Sequence, residues 1–203
     1  MSSDPPTTSG AMRRRPVTTP RQSASVILLR DAAAGPELLL VRRSPAQRFM
    51  GGYWVFPGGA VDAGDGPADE SHVAAAVREL REEAGVTVAA ADLVAFSRWI
   101  TPEDSEIRFD TRFYLARAPA GARPRADGVE CVALRWSTAR AALGEHAAGR
   151  LQLAFPTRRH LEELSAYGSV DRLLGHARTR DVQPVRPRSL TDGGRVHLPG
   201  ETD

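Results

Sequence analysis

Three carboxylates stand out in the amino-acid sequence by their spacing. In the run Arg78-Glu79-Leu80-Arg81-Glu82-Glu83-Ala84-Gly85-Val86, residues Glu79, Glu82 and Glu83 occupy positions i, i+3 and i+4. On a helix these positions share one face, where like charges repel one another unless something compensates them. Water can do so, making an ordinary solvated acidic face, or a divalent cation can sit among them. Hard oxygen ligands suit Mg2+ or Mn2+, which take few carboxylates and complete their shell with water and phosphate oxygens. Such a cation polarises phosphoryl oxygens and lowers the pKa of an attacking water. A neighbouring carboxylate can take that water's proton. The preceding Pro57-Gly58-Gly59 favours the metal alternative, because glycines let backbone approach a ligand closely.

The spacing predicts a helix over residues 71–84. Val73, Ala76, Val77, Leu80 and Ala84 recur at three- and four-residue intervals, and Gly85 sits where a helix stop belongs. Asp69 or Ser71 can cap its start. Upstream, residues 24–29 and 37–41 read as strands joined by an Ala/Gly/Pro turn, a hairpin-like pattern, and residues 53–56 as a short aromatic and β-branched run that stops at a Pro57-Gly58-Gly59 loop. Strands are expected at 93–100, 108–116 and 131–136, and helices near 137–143, 157–167 and 169–179. Interleaved strands and helices imply an α/β sandwich. Residues 1–22, rich in Ser, Thr, Pro and Arg, read as a disordered arm. Residues 23–181 read as one compact unit and 182–203 as an irregular tail, with Pro184, Pro187, Gly193, Gly194 and Pro199.

A length of 203 residues suits one domain with terminal extensions, and 41% hydrophobic with 26% charged residues is the profile of a soluble globular protein. No apolar run approaches the roughly 20 residues of a membrane helix, so no membrane partner is expected. No apolar stretch follows Arg13-Arg14-Arg15, which argues against a secretory leader. The single cysteine, Cys131, permits no intrachain disulfide and fits a reducing cytoplasm. It reads as a small buried apolar residue rather than a nucleophile. Every one of the 27 basic residues is arginine, yet the net charge is only +2, so no nucleic-acid partner is expected. The histidines His72, His146, His160, His176 and His197 are dispersed without ligand spacing and read as surface or structural residues.

The segment from Gly64 to Val86 resembles the Nudix box, Gly-x5-Glu-x7-Arg-Glu-(aliphatic)-x-Glu-Glu-x-Gly-(aliphatic). Gly64, Glu70, Arg78, Glu79, Leu80, Glu82, Glu83, Gly85 and Val86 occupy its specified positions. A second register counts from Gly59, puts Asp65 in the first acidic position and adds residues before the helix. Arg78 to Glu83 are unchanged in both. The resemblance implies a Nudix α/β/α sandwich with a mixed sheet and extra C-terminal helices. It implies hydrolysis of a diphosphate linkage with Mg2+ or Mn2+ as cofactor. It gives Glu79, Glu82 and Glu83 the metal and counts Arg78, Glu79 and Glu82 among the catalytic residues. Arg78 would support the loop through Glu70 or Asp65. Glu130 has a placement similar to that of an auxiliary catalytic acid from a later loop, with Asp127 as a rival.

Leu38 to Gly59, LLLVRRSPAQRFMGGYWVFPGG, resembles coenzyme A diphosphatases of that family, where an Arg-Ser pair precedes Phe-Pro-Gly-Gly. Trp99, Thr101-Pro102, Arg108 to Thr111 and Phe155-Pro156-Thr157 extend the similarity to the acyl-coenzyme A branch. The implied partner is a small nucleotide substrate, coenzyme A or an acyl-coenzyme A. Another diphosphate stays open: ADP-ribose, a dinucleotide or a damaged nucleoside triphosphate. So does a non-catalytic nucleotide-sensing module, against which the intact glutamate set argues. Arg42, Arg43, Arg48 and Arg108 are either phosphate contacts, since guanidinium forks match phosphate oxygens, or solvated strand-edge residues. Gly58 and Gly59 would bring backbone to the substrate. Phe49, Met50 and Tyr53 would receive an acyl or pantetheine chain, or belong to the core. Oligomeric state is left open, a homodimer among the options.

Overall fold

The structure, a computed structural model, describes residues 18–67, 70–189 and 196–198. β1 (Arg21–Arg30) is the central strand. Its run Val26-Ile27-Leu28-Leu29 is apolar at every position because both faces are covered. Val26 and Leu28 pack beneath α1 (Ser71–Ala84) with Leu39, Ala76 and Leu80. Ile27 and Leu29 face the other way, into a second core with Phe96, Phe113, Leu161 and Leu173. That core is roofed by α2 (Ala139–Ala147), α3 (Phe155–Leu164) and α4 (Val170–Thr179). The result is the expected α/β/α layering around a mixed sheet.

The pairing departs from a simple hairpin. β1 meets β2 (Glu37–Arg43) only at Leu29↔Leu38 and Arg30↔Glu37. Beyond the turn the strands part. β2 pairs along its length with β7 (Cys131–Thr138), and β3 (Trp54–Val55) lies on its other edge. The freed edge of β1, Ser23 to Ser25, takes β4 (Gly58–Ala60) instead. On its opposite edge β1 runs parallel to β6 (Phe109–Arg117), which pairs antiparallel with β5 (Val94–Ile100). The Pro-Gly-Gly segment, expected as loop, is therefore partly strand, and it enters the sheet beneath α1.

α1 has the predicted bounds. Gly85 ends it in the left-handed region at φ 65° and donates its N–H to the carbonyls of Arg81 and Leu80. At the other end the N-cap is Glu70, whose side chain makes no capping bond, so Ser71 is not the cap; Asp69 lies outside the described residues. The buried face comprises Ser71, His72, Ala75, Ala76, Leu80, Glu83 and Ala84, with Val73 and Val77 half-buried beside it. Thr138 and Ser169 cap α2 and α4 with their hydroxyl oxygens.

The boundaries of the compact part are wider than expected. Arg21 and Gln22, assigned to the arm, belong to β1, whereas residues 1–17 lie outside the described residues. Past Asp181, expected as irregular, β8 (Pro184–Val185) joins β5 in parallel, and β9 (Arg188–Ser189) pairs with β10 (Val196–His197). His160 of α3 is structural. Its Nε2 lies 2.6 Å from the Ser97 hydroxyl, and its ring is surrounded by Phe56, Phe96, Trp99 and Phe113. Burial holds its pKa down at about 3, so the ring is neutral. Among the described residues no helix is long and apolar enough to cross a membrane.

Leu161 tests whether α3 belongs to the core. It is fully buried, so Leu161→Ala should cost about 2–5 kcal/mol in urea unfolding. A loss under about 0.5 kcal/mol, the size of a surface change, would show that the C-terminal helices are dispensable to the fold.

Candidate active site

The glutamates of α1 share a face but lie at different depths. The side chain of Glu83 is 3% exposed, that of Glu79 13% and that of Glu82 50%. One oxygen of Glu83 accepts a hydrogen bond from the Gly58 N–H at 2.8 Å. Its other oxygen, Oε1, is buried without a hydrogen-bond partner; the nearest cation, Arg43 Nη1, stands off at 3.8 Å. Burial pushes the pKa of Glu83 up to about 7, against the opposing pull of the Gly58 N–H, the Cys131 thiol and Arg43. Burial also raises the pKa of Glu79, and the charges of Glu82 and Glu130 add to this while Arg78 opposes it. Both carboxylates thus sit where burial disfavours their ionised form.

Two glycines make this arrangement possible. A Cβ on Gly58 would lie 2.4 Å from the Ala24 carbonyl, and one on Gly59 2.3 Å from Glu79 Oε1. Both distances are far inside contact, so β4 fits between β1 and α1 only with no side chain at these two positions. Gly58 and Gly59, expected beside a substrate, do line the cleft described below. Their missing side chains are required first by the protein itself.

Arg78 ties the segments together. Its Nε and Nη2 donate to the two oxygens of Asp65 at 2.9 and 3.0 Å, a paired contact. Nη2 also donates to the Ala60 carbonyl at 2.9 Å, and Nη1 to Glu79 at 2.8 Å and Glu82 at 3.2 Å. Asp65 is buried and accepts the Asp62 N–H as well, closing a short 3-10 turn over Ala63–Asp65. Glu70 is exposed at the N-cap of α1. The acidic partner of Arg78 is therefore Asp65, which is the register counted from Gly59.

A cleft of about 760 Å³ opens beside the carboxylates. Its lining combines Glu79, Asp62, Glu130, Arg43 and β4 with Trp99, Ile100, Phe109, Phe113, Phe155 and Pro156. Phe49 and Met50 line it too, Phe49 packing on Phe109 with ring centroids 5.0 Å apart, whereas Tyr53 is not among the lining residues. Of the predicted phosphate contacts, Arg43 and Arg48 reach the cleft. Arg42 does not: it is exposed and donates to the Gly52 carbonyl, because neighbouring strand residues point to opposite faces. Arg108 is buried and donates to the carbonyls of Thr101 and Thr18, so it braces backbone. Sequence reasoning missed Arg21, which lines the cleft with its guanidinium over Phe109. The only signal was its position at the edge of an apolar run. Asp127, the rival of Glu130, has both oxygens engaged by the backbone N–H groups of Glu130 and Cys131.

A hard divalent cation fits this chemistry. The donors are carboxylate oxygens, and one is a buried acceptor without a hydrogen-bond partner. Among the described residues no group of three or more His, Cys, Asp or Glu side chains is placed so that it could hold a metal ion by itself. Such a complete set is not required of a Mg2+ or Mn2+ site, which keeps water and phosphate ligands.

Residues 19–155 match the model of the NUDIX domain. The chain is similar to a Klebsiella aerogenes protein described as the uncharacterized Nudix hydrolase NudL, at 38% identity over 36% of this chain and 56% of the relative. It is also similar to a Caenorhabditis elegans protein described as a candidate nudix hydrolase, at 30% identity over 38% of each chain. The chain thus spans 38% and 56% of the length of these two relatives. The crystal structure of a NUDIX hydrolase from Alicyclobacillus acidocaldarius superposes with a TM-score of 0.72 at 27% identity, covering 83% of this chain and all of that one.

The Asp65–Arg78 pair makes a testable contribution to stability. The Arg78 hydrogen bond holds the pKa of Asp65 below the usual carboxylate range, in spite of burial. Its stabilisation is therefore present above the unfolded carboxylate value and is lost as pH falls through the folded one. Asp65→Asn is expected to lower stability at pH 7 by roughly 1–3 kcal/mol, with the gap from wild type narrowing below about pH 4. Glu70→Gln should stay within about 0.5 kcal/mol of wild type. Equal effects of the two substitutions in urea melts at both pH values would contradict the assigned partner.

Proposed function

This chain belongs to the NUDIX domain family, and on that premise we propose that it hydrolyses the diphosphate linkage of coenzyme A or an acyl-coenzyme A. The observation that carries the reading is the make-up of the cleft: the carboxylates of Glu79, Asp62 and Glu130 in its lining, and the aromatic walls of Trp99, Phe109, Phe113 and Phe155. The first suits the reaction centre of a diphosphate. The second suits a substrate with an apolar arm, such as pantetheine with or without an acyl chain.

Glu79, Glu82 and Glu83 would hold Mg2+ or Mn2+. Bound there, the ion would supply Lewis acidity to the phosphoryl oxygens and make the attacking water more acidic. The chain's own residues do the rest. Arg78 fixes Glu79 and Glu82 by hydrogen bonds, and the Gly58 N–H fixes Glu83. Glu130 is exposed at the cleft, close enough to Glu79 to raise its pKa, and would accept the water's proton. The water oxygen joins one phosphorus as the bridging P–O bond breaks, and the leaving phosphate keeps the electron pair. From coenzyme A the products are 3′,5′-ADP and 4′-phosphopantetheine. Arg48 and Arg21 line the cleft and would contact phosphate oxygens, including the 3′-phosphate.

A chelator should abolish hydrolysis, with recovery on adding Mg2+ or Mn2+. Glu82→Gln and Glu83→Gln should each lower kcat about a hundredfold, equivalent to about 3 kcal/mol of barrier, in folded protein. Full activity in the double variant would rule out the metal assignment. The substrate is decided by kcat/KM for coenzyme A against ADP-ribose under identical Mg2+. Turnover of ADP-ribose about tenfold better, a preference of about 1.4 kcal/mol, would reject coenzyme A while leaving diphosphate hydrolysis in place.

A further inference from the structure

We infer that Asp127 is a positioning residue for the hydrolysis, holding the backbone that presents Glu130 to the cleft. This rests on the reading of Glu130 as the proton acceptor. The turn Gly128-Val129-Glu130 joins the chain after Arg125 to β7, and apolar packing does not anchor its tip. Val129 is 76% exposed, and Glu130 is exposed as well. Hydrogen bonds hold it instead. Asp127 Oδ2 accepts the N–H of Glu130 at 2.9 Å, and Oδ1 accepts the N–H of Cys131 at 2.7 Å. The Gly128 N–H donates to the Cys131 carbonyl at 3.0 Å, with Gly128 in the left-handed region at φ 78°. On the other side of Glu130, its carbonyl accepts the Ser44 N–H at 2.7 Å.

Both backbone groups of Glu130 are thus occupied, and its side chain is left free to line the cleft. Chemistry at a carboxylate needs that freedom from other partners together with a fixed origin for the side chain, since small misplacements of a proton acceptor are costly. Asp127 is suited to supply the origin. Its short side chain reaches the N–H groups three and four residues ahead. Burial opposes its ionisation, but the N–H groups of Glu130, Cys131 and Val129 outweigh this and hold its pKa below the usual range. An asparagine offers one acceptor oxygen and turns an amide toward donors.

The test is a double-mutant cycle in the full chain, with kcat and KM measured at saturating Mg2+. The substrate is whichever of coenzyme A and ADP-ribose the wild type hydrolyses faster. Asp127→Ala and Asp127→Asn are compared with Glu130→Gln and with each combination; the asparagine variant serves if the alanine variant does not fold. If Asp127 acts through Glu130, its substitution should lower kcat at least about tenfold with KM within about twofold, and should change kcat less than about twofold once Glu130 is already glutamine. An equal loss in both backgrounds would show a general structural role and overturn the proposal. Wild-type kcat in the Asp127 variants beside an impaired Glu130→Gln would also overturn it, while leaving the role of Glu130 intact. Wild-type kcat in Glu130→Gln would remove the reading of Glu130 and this proposal with it.

Discussion

The guanidinium of Arg78 is the point where loop, strand and helix meet. It binds Asp65 from the 3-10 turn, the Ala60 carbonyl from β4, and Glu79 and Glu82 from its own helix. A planar fork with fixed donor directions can serve all four; an ammonium is a point charge on a flexible stem and cannot. The consequence is electrostatic as well as geometric. α1 places several carboxylates on one face, a configuration that destabilises an isolated helix. Arg78 offsets part of that repulsion for the two outer glutamates. Glu83, the deepest, has a backbone N–H on one oxygen, while the other makes no geometrically formed hydrogen bond and has Arg43 at 3.8 Å and the Cys131 thiol as its neighbours. The fold tolerates that residue with its pKa raised to about 7 by burial.

How much of this was legible in sequence depended on whether the signal was local. Helical period and a glycine stop are local, and α1 came out with its bounds intact. The loop register was not legible, because Asp65 and Glu70 both stand at plausible distances before the helix. Only three-dimensional closure onto Arg78 separates them. The β1–β2 hairpin was over-read for a similar reason. Adjacency in sequence suggested a full pairing, whereas β6 and β7, remote in sequence, take most of the hydrogen bonds. Arg42 and Arg43 could not be told apart, because Leu38 to Val41 are buried on both faces and give no alternation to count from, and the ladder is irregular between the two arginines.

The two ends of the cleft differ in origin. The carboxylate end lies wholly within the residues that match the NUDIX domain. That match ends at residue 155, where α3 begins, yet Phe155, Pro156 and Thr157 line the apolar end and α3 and α4 complete one of the two cores. His160 shows how closely that end is integrated. The ring that packs against Trp99 and Phe113, both cleft-lining residues, comes from α3. The wall that would discriminate among substrates is thus supported by helices beyond the matched region.

Charge type alone does not assign a role to an acidic residue in this site; what its two oxygens already bind does. Asp65 has both oxygens on Arg78, one of them shared with a backbone N–H. Asp127 has one oxygen on each of two backbone N–H groups. A carboxylate so occupied must break those bonds before it can take a proton or a metal ion, and a buried donor left without its acceptor is costly. Both are therefore poor chemical groups and good structural ones. Glu79 and Glu82 each keep an oxygen outside the Arg78 contacts, Glu83 keeps one buried oxygen bare, and Glu130 presents an exposed side chain to the cleft. These four have acceptor capacity to spend on a substrate, a water or a cation, and two of them, Glu79 and Glu130, line one cleft.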